Sequence, residues 1–114
     1  MSKVKYLRKE RLVYYSKLYN RFVTVPKGYP SDGATGAIDI DSDSWWVHDA
    51  LCDRGVWDDG VQVNNWQAST VLAMIIWSEA KEHPSYYYRA FYWWLATWLM
   101  GGGKARENGM WWWQ

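Results

Sequence analysis

Leu12-Val13-Tyr14-Tyr15-Ser16-Lys17-Leu18-Tyr19-Asn20-Arg21-Phe22-Val23-Thr24-Val25-Pro26 decides the fold class. Residues 12–18 and 21–26 are dense in β-branched and aromatic side chains, which pack well on a pleated surface. Tyr19-Asn20 between them supplies a usable hairpin turn. Pro26 and Gly28 then stop the second strand. The stretch predicts an N-terminal antiparallel β-hairpin.

Downstream the period changes from two to 3.6. Residues 28–43 read as loop: small, acidic, and rich in Gly and Ser. A short helix is predicted over 45–53, with Asp43 or Ser44 as N-cap and Gly55 as terminator. Val71, Leu72, Ile75, Ile76 and Glu79 share one helical face, in a helix from about Asn65 to Lys81. Pro84 and an N-capping Ser85 open a last helix, 85–100, which Gly101-Gly102-Gly103 ends. There Tyr88, Phe91, Tyr92, Leu95 and Leu99 make one stripe, widened by Trp94 and Trp98. The fold class is α+β: one small domain over residues 1–114, an N-terminal β-hairpin followed by three packed helices. Residues 1–30 form a β-rich basic arm and hairpin, and 31–60 an acidic loop and short His-Asp helix. Residues 61–100 form two core helices, and 101–114 a Gly-linked aromatic tail.

Eleven Trp and nine Tyr in 114 residues far exceed ordinary usage. Both bury large areas yet carry a polar handle that needs a partner. The surplus implies a core with many internal hydrogen bonds or aromatic surface reserved for another molecule. Trp111-Trp112-Trp113 cannot all face one core from a helix or strand, so this stretch is the candidate partner-binding segment. Met110–Gln114 is expected to be ordered mainly by contact with another subunit.

Charge is polarised. Residues 1–27 carry eight Lys/Arg against Glu10, and residues 28–60 eight Asp against Arg54. The basic arm lacks both an Arg/aromatic pattern and a phosphate-cradling Gly loop, so nucleic acid is not the expected partner. Cys52 is the only cysteine, which excludes an intrachain disulfide and a cysteine-cluster metal site. No apolar signal segment opens the chain. The apolar run 86–100 falls short of the ~20 residues that span a bilayer and contains Arg89. No transmembrane segment is expected.

The chemistry concentrates in Trp45-Trp46-Val47-His48-Asp49-Ala50-Leu51-Cys52, preceded by a loop that delivers Asp32. Val25-Pro26-Lys27-Gly28-Tyr29, Ser31-Asp32, His48-Asp49-Ala50-Leu51 and the helix opening near Asn65 together resemble a bacteriophage and prophage family, domain of unknown function 1353. The resemblance covers roughly residues 12–80. Three positions depart from its pattern: Ala34-Thr35-Gly36 replaces Ser-x-Pro, Cys52 replaces a Tyr, and Asn65 replaces a helix-opening Asp.

Asp32, His48 and Asp49 are the candidate catalytic residues. A histidine exchanges protons near neutral pH, and a neighbouring carboxylate fixes its tautomer. The same three residues are also the candidate ligands for a divalent ion, although no resident cofactor is otherwise indicated. Adjacent His and Asp on a helix point roughly 100° apart, which opposes joint ligation. A third reading makes the acids structural, locking the loop to the helices. Asp39, Asp41 and Asp43 alternate like Ca²⁺ ligands but lack the Gly and closing Glu of an EF-hand. No Gly-x-Ser-x-Gly, Walker A or His-Glu-x-x-His motif occurs.

Two function classes follow. One is a phage virion, tail or assembly protein, docking on other phage proteins or on itself, in the virion or the host cytoplasm. The other is a small phage hydrolase acting on the cell envelope or a nucleotide. A hydrolase should hold His48 in an open pocket; a docking protein should bury it and expose the Trp cluster.

Overall fold

Strand β2, Leu12–Ser16, pairs antiparallel with β3, Arg21–Val25, in a register running from Leu12↔Val25 to Ser16↔Arg21. The computed structural model describes residues 6–7, 10–31, 43–100 and 103–114. Alternation sets the two faces of the hairpin. Val23 and Val25 are fully buried, while Tyr15 and Phe22 pair on the outer face with ring centroids 4.9 Å apart.

The turn is longer than the two residues expected from Tyr19-Asn20. It takes in Lys17–Asn20, because the buried Ser16 ends its strand with two local bonds. Its carbonyl accepts the Asn20 amide at 2.7 Å and its hydroxyl oxygen accepts the Tyr19 amide at 3.2 Å. Asn20 takes the left-handed backbone that closes the loop, at φ +55°. A second short pairing, β1 (Tyr6–Leu7) with β4 (Pro30–Ser31), was not foreseen; two-residue strands leave no pattern to read.

The outer edge of β3 is covered by the loop that follows the first helix. The Asp58 carboxylate accepts from both the amide (2.9 Å) and the hydroxyl (2.6 Å) of Thr24, and the Asp58 amide donates to Phe22 O at 3.0 Å. An exposed strand edge is thereby closed.

Three long helices follow, as expected. Helix α1, Ser44–Arg54, carries Asp43 at its N-cap position without a side-chain capping bond and ends at Gly55 with φ +70°. Helix α2, Asn65–Glu79, has a full capping box: Asn64 Oδ1 accepts the Gln67 amide at 2.8 Å, and Gln67 Oε1 accepts the Asn64 amide at 3.1 Å. Helix α3 runs Tyr86–Met100. A further five-residue helix, α4 (Lys104–Asn108), lies in the segment read as a tail.

Two apolar clusters form the core. Val23 and Val25 of β3 meet Val47 and Leu51 of α1, Trp57, and Val71 of α2. The second cluster sits between α2 and α3, where Leu72, Ile76 and Ala80 face Tyr86, Ala90 and Trp93. Trp45 of α1 joins it, edge-on to Trp93 at 4.9 Å.

Helix α3 turns a face to the core that its aromatic stripe did not suggest. Tyr86, Ala90, Trp93 and Thr97 are buried, whereas Tyr88, Phe91, Tyr92 and Leu99 are exposed. Ala80, Ala90 and Trp93 are buried together in the cluster between α2 and α3. Thr97 is accommodated because its hydroxyl donates to Trp93 O at 2.7 Å. Among the described residues no helix is long and apolar enough to cross a membrane.

Candidate functional site

Helical spacing places His48 and Cys52 one turn apart on the inner face of α1, both buried. His48 Nε2 lies 3.5 Å from Cys52 Sγ. Asp49, the next residue, brings its Oδ1 to 3.9 Å from His48 Nδ1, within ion-pair reach of a protonated ring. Burial disfavours a charged His48 ring, but the Cys52 sulfur and the Asp49 carboxylate outweigh it, and the imidazole is pushed up to about 10. The ring therefore keeps its proton through the neutral range. A general base needs the opposite, a value near the working pH.

The loop after β3 brings Tyr29 onto the outer side of α1. Its hydroxyl donates to the Asp53 carboxylate and lies 3.3 Å from the Asp49 carbonyl. Burial, reinforced by the Asp53 bond and by the charges of Asp53 and Asp49, holds this phenol far above its ordinary range, with Arg54 opposing. Tyr29 is thus a permanent donor that clamps loop to helix. Asp32, the third candidate, lies outside the described residues, as do Asp39 and Asp41. Among the described residues no group of three His, Cys, Asp or Glu side chains is placed to hold a metal ion.

Asn65 ties the start of α2 to the end of α3. Its side-chain amide donates to the carbonyls of Trp98 (2.7 Å) and Thr97 (3.4 Å) at the end of α3. A carboxylate could not donate there. Asn64, not Asn65, is the cap.

The tail, expected to be ordered by another subunit, is held by its own chain. Ala105 is fully buried, and the Asn108 side chain donates to Gly55 O (2.8 Å) and Val63 O (2.9 Å). Trp98 Nε1 donates to Met110 O at 2.5 Å, and Asn64 Nδ2 to Trp111 O at 3.1 Å. Gln114 folds back so that its Oε1 accepts the amides of Met110 and Trp111. Trp66 lies at the centre of the resulting indole cluster, 5.0 Å from Trp94, 5.0 Å from Trp98 and 5.4 Å from Trp112. Trp113 stacks on Trp111 at 5.1 Å. The outer faces of Trp111, Trp112 and Trp113 remain exposed. No sequence periodicity signals this arrangement, but the amide-rich Asn64-Asn65 pair at a helix start was the available sign.

Beside the tail, α3 and α2 display a broad aromatic surface. Tyr88, Phe91, Tyr92 and Leu99 line a hollow of about 680 Å³ along α3. A second hollow, of about 480 Å³, opens between the hairpin turn, α2 and α3, with Leu18, Trp66, Met74 and Trp77 among its walls. Phe91 stands between them and lines both. Comparison of the chain with protein-family models, curated proteins and solved structures finds no match.

Proposed function

We propose that this chain is a small docking protein of bacteriophage origin, a virion, tail or assembly component that acts through protein–protein contact. The observation that carries this reading is the exposed aromatic face of α3. Phe91 and Tyr88 are each 64% exposed and Met100 84%. Surface of this kind is costly to leave in water and marks interaction sites. The phage assignment rests on the resemblance carried by Val25–Tyr29 and His48–Leu51.

The condition of His48 supports docking over hydrolysis. The ring is buried against Cys52 and proton-loaded, which suits a fixed structural group better than a proton shuttle. Copurification with phage particles tests the reading: the chain should be retained through particle isolation, and Phe91→Glu should release it. Turnover of peptidoglycan, nucleotide or ester substrates, with or without Zn²⁺ or Mn²⁺, that His48→Ala abolishes in a still-folded protein would replace docking with catalysis.

A further inference from the structure

We infer that the aromatic face of α3 pairs with the same face of a second copy of this chain, the two α3 helices crossing about a two-fold axis near Leu95. This rests on the docking reading and names the first partner.

Area is the first argument. A full aromatic side chain presents ~200 Å². At the exposures observed, Trp77, Tyr88, Phe91, Tyr92, Leu99 and Met100 therefore offer about 700 Å². A stable interface of standard size needs ~800 Å² per partner. One helix face with its neighbour Trp77 supplies nearly all of that.

Shape is the second. A two-fold interface requires a surface that fits itself. Phe91, Leu95 and Leu99 form a ridge at four-residue spacing, and Tyr88, Tyr92, Ala96 and Met100 form a parallel row whose small Ala96 leaves a groove. The Phe91 ring stands as a projection between the two hollows. Across the axis, the ridge of one copy lies in the groove of the other.

Charge is the third. Between Tyr86 and Met100 the only charged residue is Arg89, whose guanidinium sits 5.6 Å from the Tyr88 ring. Two copies meet without like-charge repulsion along the helix. A lipid surface is a poorer fit, because interfacial helices carry rows of Lys and Arg on their polar face and α3 does not.

Sedimentation equilibrium of the full chain should give a dimer. Phe91→Glu should weaken it by at least ~30-fold, the factor of a hot-spot loss, with an unchanged far-ultraviolet circular dichroism spectrum. Leu95→Cys should oxidise to a covalent dimer, and should fail to do so when combined with Phe91→Glu. Three results would overturn the pairing: a chain monomeric at its highest soluble concentration, a dimer indifferent to Phe91→Glu that does not cross-link at residue 95, or a monomer that binds phosphatidylglycerol vesicles through Phe91. A monomer retained on phage particles through Phe91 would end the pairing and leave docking intact. A dimer absent from particles would end the phage role and leave the pairing intact.

Discussion

The side-chain amide of Asn65 donates to the backbone carbonyl of Trp98 across 2.7 Å, joining the first turn of α2 to the last turn of α3. The site is fully buried and admits a donor only. Asn65→Asp, nearly identical in shape, sets a carboxylate against carbonyl oxygens. It should destabilise by about 3 kcal/mol or more, and Asn65→Ala by about 1–3 kcal/mol. Urea denaturation of both variants decides this; an Asp variant as stable as the parent refutes the donor requirement.

His48 gives stability a defined pH dependence. Its folded value, about 10, lies above the ordinary 6.5, so the native state binds the proton more tightly than the unfolded chain. That contribution is fully present below about pH 6.5 and fades as the pH rises through about 10. The stability gap between the parent and His48→Gln should therefore shrink from pH 7 to pH 10. Paired urea midpoints across that range measure it, and a gap that widens contradicts the sign.

Gly103 sits at φ +91°, and an added Cβ would come 2.7 Å from the Cys52 carbonyl oxygen. Gly60, at φ +84°, has nothing within 4 Å of the same position. Gly60→Ala should cost about 1–2 kcal/mol from backbone strain alone. Gly103→Ala carries that strain plus a collision with fixed backbone, and should cost clearly more. Thermal melts of the two variants compare them directly; equal costs would mean α4 yields freely from α1.

Deleting residues 110–114 removes the acceptors for Trp98 Nε1 and Asn64 Nδ2 and uncovers Trp66. With ~1 kcal/mol for each bond and about 0.5–1.5 for each aromatic pair, the loss should be about 2–4 kcal/mol. Trp113→Ala, at an exposed ring, should cost no more than about 1 kcal/mol. Chemical denaturation separates the two. A truncated chain as stable as the parent would return the tail to the role of a free adhesive arm.

The hairpin was legible because β-branched and aromatic residues crowd both runs and Pro26 ends the second. The nearness of Cys52 to His48 follows from their four-residue step on a helix. The orientation of α3 was not legible. Apart from Arg89 and Thr97 every residue in it is apolar or aromatic, so no polar face marks the outside, and the choice falls to which residues fit the α2 face: Tyr86, Ala90 and Trp93. Helix α4 was hidden because one buried residue, Ala105, is too little for a period. Asn65 could not be read as a donor before the position of the Trp98 carbonyl was known.

The indoles gathered around Trp66 have an optical consequence. Trp94 and Trp98 lie 6.1 Å apart and nearly parallel, and Trp111, Trp112 and Trp113 contact one another at 4.6–5.9 Å. At such spacings the transition dipoles couple, so light absorbed by one ring is shared among its neighbours. The folded chain should therefore show a bisignate exciton band and depolarised emission. Both signals lose the share contributed by the Trp66–Trp112 and Trp98–Trp111 contacts when Met110–Gln114 lifts from the helices, which makes the protein its own reporter of whether that segment is seated.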